Sequence, residues 1–204
     1  MNFTVKNRKL LFDLFLKIYI YMKIAFKRII LIVVIYFVYK LFNGYNPYLP
    51  SLPIYPNNKK ELKIVEQAVE NRTQKDIAFF HKTNQSVIDA FVGIVPETRS
   101  QLRKLKNSQN YIINFFKYTI NRRRPYQLNP KLNVINIKTA QTPSYPAGHA
   151  YQAYLIAKKL SKVYPEKKEI LYDTARKCDE CRIKAGIHYP SDGTFSKTLV
   201  NLFN

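Results

Sequence analysis

Six ionisable side chains, gathered in three short segments, could act together on an anion. Lys117 in YIINFFKYTI lies four residues after Ile113 and three before Ile120. That spacing turns it toward the apolar side of a helix, where an ammonium is costly unless an anion meets it. Arg124 follows in NRRRP, and Pro125 takes it out of helical geometry and predicts the helix end there. Singly, Lys117 reads equally well as a snorkelling lysine, and the three arginines as a solvated basic turn. In TPSYPAGHA, Gly148 and His149 stand at a predicted helix start, where free N–H groups and a missing side chain make a seat for phosphate. An isolated Gly-His pair is also what a plain turn contains. In CRIKAGIHYPSD, Arg182 precedes His188 by six residues and Asp192 follows by four. A carboxylate beside an imidazole holds its tautomer and stabilises its cation, as a nucleophilic or basic histidine requires. The third histidine, His81 in AFFHKT, reads as partly exposed and structural.

The elements that must position these groups are helical. Apolar stripes at Ile64, Val65, Ala68 and Val69, and at Ile77, Phe80, Val87, Ile88 and Phe91, predict two helices before Pro96. Further helices are expected from about Glu97 to Ile120, from Ala150 to Tyr164 before Pro165, and from Glu166 to about Ala185, closed by Gly186. No strand alternation is sustained, so the expected class is an all-α bundle. Upstream, Pro47, Pro50, Pro53 and Pro56 recur every third residue, which predicts a stiff extended linker. The expected organisation is a basic, hydrophobic N-terminal segment over 1–43, a Pro-rich linker over 44–59 and a catalytic helical domain over 60–204.

The N-terminal segment carries Lys6, Arg8, Lys9, Lys17, Lys23, Lys27 and Arg28 against Asp13, then the run IILIVVIYFVY, residues 29 to 39. A span needs about 20 residues, which Ile24 to Phe42 supplies if Lys27, Arg28 and Lys40 snorkel. From Met22 the chain also reads as a signal-like n-region and h-region, but no A-x-A-like cleavage site follows. An uncleaved anchor is expected, and the basic excess before the run places the rest of the chain outside the cytoplasm.

Hydrophobic residues make up 47% of the 204, enough for one sizeable core. The formal charge of +21 points to an anionic partner. However, Lys, Asn, Ile and Tyr are enriched along the whole chain, and no tract interleaves basic and aromatic residues on one face, so nucleic acid is not the expected partner. Cys178 and Cys181 form one C-x-x-C pair, too few ligands for a zinc site, and read as two packed residues rather than a redox pair. N-x-S/T sites at Asn71 and Asn84 matter only in a eukaryotic secretory path.

Together, the three segments resemble the signature of the type 2 phosphatidic acid phosphatase superfamily, which includes bacterial class A non-specific acid phosphatases and vanadium haloperoxidases. Lys117, Arg124-Pro125, Pro146, Gly148-His149, Arg182, His188 and Asp192 match nine of eleven signature positions in order and spacing. SYPAGHAYQAYLIAKKL and AGIHYPSD look most like the class A acid phosphatases. The two departures are Ala147 and Cys181, where the family usually has serine.

The resemblance implies a bundle of the acid phosphatase/vanadium haloperoxidase type and hydrolysis of phosphate monoesters through a phosphohistidine. By it, His188 is the nucleophile, Asp192 orients it, and His149 is the general acid and base. Lys117, Arg124 and Arg182, with the Gly148 amide, bind the phosphoryl oxygens. No metal or cofactor is implied. With His149 protonated and His188 neutral, activity is expected to peak below neutrality. Loss of the serine hydroxyl at Ala147 removes one donor to the phosphate, an expected cost of ~1 to 3 kcal/mol that slows catalysis without abolishing it. The Cys181 thiol, beside Arg182, is expected to be acidic and oxidisable. Substrates are small-molecule phosphomonoesters or, alternatively, lipid phosphates. Two further readings are a vanadate-dependent haloperoxidase, for which vanadate is a cofactor rather than an inhibitor, and a non-catalytic phosphate-binding pseudoenzyme.

Overall fold

The computed structural model describes residues 5–47, 49–135 and 138–204, with backbone alone at 5–15 and 40–43. Lys6, Arg8, Lys9, Asp13 and Lys40, which entered the N-terminal reading, lie outside the described side chains. The chain divides into two compact units, one ending at Phe42 and one spanning Asn43–Asn204. Helix α1 (Val5–Asn43) makes up the first. Its apolar run from Ile29 to Tyr39 is exposed throughout. Among the described residues no helix is long and apolar enough to cross a membrane, since charged residues close off this run at both ends.

The second unit is helical, with no named strand among its described residues. It runs α2 (Asn58–Glu70), α3 (Gln74–Asn84), a 3₁₀ turn (Val87–Ala90), α4 (Arg99–Asn107), α5 (Asn110–Ile120) and the short α6 (Pro125–Leu128). After a long connection come α7 (Gly148–Val163), α8 (Lys168–Lys184) and α9 (Pro190–Phe203). Helix α7 is the hub, packed chiefly on α8 and α9 and also on α4 and α5. Ala150, Ala153 and Ala157 let neighbours approach closely, while Tyr151, Leu155, Ile156 and Leu160 fill the space between helices. Each of those large side chains contributes about 1.5 to 3 kcal/mol by leaving water. A helix buried on most of its surface is well suited to hold its N-terminus still.

Two boundaries depart from the sequence reading. The helix expected over 97–120 is two helices, parted where Ser108 Oγ donates back to Leu105 O at 2.8 Å and competes with the helical ladder. The stripe reaching Phe91 is not one helix: α3 ends at Asn84, Ser86 is extended, and a 3₁₀ turn then carries Val87 and Ile88 into the core. Helix α5 ends at Ile120, as the sequence reading has it, because Asn121 turns left-handed with φ 53°, and it does not run on to Pro125. Pro125 instead opens α6, and Arg124 before it is extended, as the residue before a proline prefers.

Asn121 also explains the Pro-rich segment. Its side-chain amide donates to Asn46 O at 2.9 Å and to Leu49 O at 3.0 Å. Tyr45 N bonds Gln141 O at 3.1 Å and Leu52 N bonds Ile120 O at 3.0 Å. The segment over 44–59 is thus no free linker but a strap laid on the helical unit.

Candidate active site

Four local devices aim the candidate residues. Helix α5 carries Lys117 on its buried face, and the left-handed turn after it brings the chain round to Arg124. Helix α7 begins at Gly148, so His149 sits in a first turn whose amides have no intrahelical partner. Helix α8 closes at Gly186, φ 77°, where Ile187 N bonds Arg182 O at 3.2 Å and Gly186 N bonds Ile183 O at 2.8 Å. That closure turns His188 back toward the bundle. Pro190 then starts α9, and Asp192 in its first turn accepts from Tyr189 N at 2.9 Å, with its negative charge at the positive end of the helix.

Lys117, Arg124, Gly148, His149 and His188 come together in one cleft of about 220 Å³. Asn110, Asn114, Thr139, Thr142 and Gln152 give it a polar rim, while Ile113 and Ile187 supply apolar wall. Asp192 is fully buried behind His188 and does not reach the cleft.

His188 and Asp192 form a hydrogen-bonded pair. His188 Nδ1 lies 2.9 Å from Asp192 Oδ2, an acceptor, so Nδ1 carries the proton and Nε2 keeps its lone pair. Nε2 accepts from Arg124 NH1 at 3.2 Å. Burial, then the Arg124 charge, pushes the His188 pKa down to about 3 against the opposing pull of Asp192. The imidazole is therefore neutral across the physiological range. Burial alone would raise the Asp192 pKa, but the His188 hydrogen bond and the Arg122 charge hold it far below the usual carboxylate range. Ser144 Oγ also donates to Asp192 Oδ2.

The cations are placed as anion donors at rest on backbone oxygens. Lys117 Nζ donates to Pro143 O and, at 3.4 Å, to Ser144 O. Burial and the neighbouring Arg124 charge lower its pKa well below the ordinary lysine value. Arg124 donates to Thr142 O at 2.7 Å and Ile187 O at 2.8 Å, and burial lowers its pKa to about 10, so it stays charged at neutral pH.

Arg182 differs from its expected place. It does not line the cleft; NH2 donates to Thr83 Oγ1 at 2.7 Å and the guanidinium lies 4.6 Å from the Phe80 ring centroid. Its Nε and NH1 are buried without a partner, two unspent donors close enough to His149 to depress its pKa.

His149 Nε2 donates to Asn84 O at 3.0 Å, which leaves Nδ1 as the titrating nitrogen. Burial first, then the Arg182 charge, holds its pKa well below the ordinary value. The expected protonation of His149 therefore does not hold, because burial first and the Arg182 charge next disfavour the imidazolium.

The two departures behave differently. Ala147 is fully buried at the N-cap of α7 and gives that helix no side-chain cap. Cys181 is not activated: burial raises its thiol pKa despite the nearby Arg182, and Sγ is turned to Cys178 O at 3.3 Å. Both cysteines are buried and free. His81 is exposed on α3. Among the described residues no three His, Cys, Asp or Glu side chains gather as a metal site.

Arg122, Ser144, Glu61, Thr83 and Asn84 escaped the sequence reading. Only tertiary contact brings them to the site, and Arg122 was masked as the first of three consecutive arginines in NRRRP. No family model matches the chain, and no curated protein matches it.

Proposed function

We propose that this chain is a phosphomonoesterase of the type 2 phosphatidic acid phosphatase kind, working through a phosphohistidine on His188 without metal or cofactor. The observation that carries this reading is a neutral, buried imidazole, its Nδ1 on Asp192 and its Nε2 turned to a cleft lined by Lys117, Arg124, Gly148 and His149. The finer fold assignment, to the acid phosphatase/vanadium haloperoxidase bundle, rests on the same residues and is proposed with it.

A phosphate monoester entering the cleft gives Lys117 Nζ and Arg124 NH1 a stronger acceptor than the carbonyls and imidazole they now serve. Release of NH1 bares the Nε2 lone pair for in-line attack, and Asp192 stabilises the positive charge that develops on the ring. The Gly148 amide donates to an equatorial oxygen. Arg182, with its two unpartnered N–H groups, reaches the anion through a side-chain shift.

A second ionisation near pH 6 makes the substrate a monoanion on the acid side. The monoanion supplies the proton that His149 Nδ1 passes to the leaving oxygen, and in the next step the ring activates water. An acid optimum thus comes from the substrate's proton rather than from a resting imidazolium.

The polar rim of Asn110, Asn114, Thr139 and Gln152 favours a small hydrophilic alcohol as leaving group. The exposed apolar run on α1 supports membrane attachment, with the catalytic unit outside the cytoplasm, and favours a second reading in which the substrate is a lipid phosphate. The full chain is assayed in detergent against soluble phosphomonoesters and against phosphatidate micelles. Hydrolysis of the soluble esters, lost in His188→Ala, is expected; turnover unchanged in that variant refutes the mechanism. Preference for phosphatidate selects the lipid reading, vanadate-dependent bromide oxidation the haloperoxidase, and phosphate binding without turnover the pseudoenzyme.

A further inference from the structure

Arg122 is fully buried and spends its guanidinium on four side chains. NH1 donates to Asp192 Oδ1 at 2.7 Å and Ser191 Oγ at 2.7 Å, NH2 to Glu61 Oε2 at 2.6 Å, and Nε to Asn58 Oδ1 at 2.9 Å. The plane is held between aromatic rings, 3.9 Å from the centroid of Tyr189 and 4.4 Å from that of Tyr55. Glu61 in turn accepts from Ser191 N at 2.9 Å and Ser191 Oγ at 2.6 Å, which pins α2 to the start of α9. Its neighbours in sequence do other work: Arg123 is exposed and donates to Tyr45 OH, and Arg124 lies in the cleft.

We propose that Arg122, clamped by Glu61, is a positioning residue for the His188–Asp192 pair and that the two together set the charge the imidazole meets. The inference rests on the proposed reading of His188 as nucleophile. Glu61, Arg122 and Asp192 sum to one negative charge behind the ring. Without Glu61 the Arg122 cation would cancel the carboxylate, and the ring would attack with no counter-charge. Without Arg122 two carboxylates would face one imidazole, and the pair would hold a proton that blocks Nε2. A lysine, with one point charge and no planar fork, cannot serve Asp192, Glu61 and Asn58 at once.

The pair is also faced by Lys117 and Arg124 on the cleft side, His149 across the cleft, Asp179 from α8, and the Tyr145 and Tyr189 phenols.

The test titrates the full chain in detergent, following the His188 imidazole by nitrogen-15 NMR, with the pH profile of turnover recorded beside it. Arg122→Gln should raise the apparent pKa of the pair by about one unit or more and move the acid limb of turnover upward. Arg122→Lys should fall between it and wild type. Glu61→Gln should move the titration the other way, and it keeps the test open if the Arg122 variants fail to fold. Variants that titrate as wild type, or two charge changes that shift the pair in one direction, overturn the assignment. Absence of turnover in wild type would sink the phosphatase reading, while the NMR titration would still decide the role of Arg122.

Discussion

Replacing His188 by Gln removes a titration that burial has displaced far from its ordinary place. The unfolded imidazole takes up its proton near pH 6.5, whereas the folded one resists until about 3. Between those values the unfolded state binds the extra proton, so stability falls as pH falls and rises again as pH rises. Each pH unit in that window is worth about 1.4 kcal/mol for one such group, or roughly 4 kcal/mol between about pH 6.5 and 3.5. That is a large share of the ~5 to 15 kcal/mol of a whole domain. His149, also depressed, adds a second contribution of the same sign. Asp192 adds a loss of the same sign only at the acid end of this window, because a carboxylate held ionised loses its stabilising effect as pH falls below about 3.9. Urea unfolding of wild type and His188→Gln, followed by far-UV circular dichroism at steps from about pH 3.5 to 7, measures the difference. The variant should lose stability less steeply by about one proton's worth per pH unit. Equal slopes would refute a neutral, desolvated His188, and with it the argument for its nucleophilicity.

Three further outcomes follow from the geometry. Gly186→Ala should cost ~1 to 3 kcal/mol and lower turnover, because φ 77° disfavours a side chain and a Cβ there would lie 3.1 Å from Leu132 Cδ2; an unchanged melting temperature would show that the closure does not aim His188. Ala147→Ser should stabilise by ~0.5 to 2 kcal/mol by capping α7 and should raise kcat/KM by supplying a donor to the anion, which thermal melts and steady-state kinetics check. Neither Cys178 nor Cys181 should react with a thiol reagent in the folded protein near neutral pH, and rapid labelling read by mass spectrometry would contradict their burial.

What was legible in the sequence is the chemistry that local spacing fixes. Lys117 at a core-facing register, Gly148 at a helix start and the four-residue step from His188 to Asp192 are each set by the geometry of one element, and the structure gathers the first two segments and His188 at one cleft. Arg182 was placed correctly near the end of a helix but not at the cleft, because the direction of a long side chain depends on partners such as Thr83 and Phe80 from a distant helix. Arg122 was hidden for the same reason, as Glu61 lies 61 residues away in sequence. The helical class was readable from apolar periodicity, whereas the break at Ser108 turns on a single polar side chain that a periodicity average passes over. The strap over 44–59 could not be foreseen, since proline spacing specifies an extended chain but not the surface that accepts it.

The most direct test of the central claim is to quench the full chain during turnover of a phosphorus-labelled monoester and map the protein-bound phosphoryl group under alkaline conditions, which preserve phosphohistidine. Label on His188 alone, absent from His188→Ala and prolonged in variants of His149, is the predicted result. Turnover with no protein-bound phosphate, or with the label on another residue, would contradict the account.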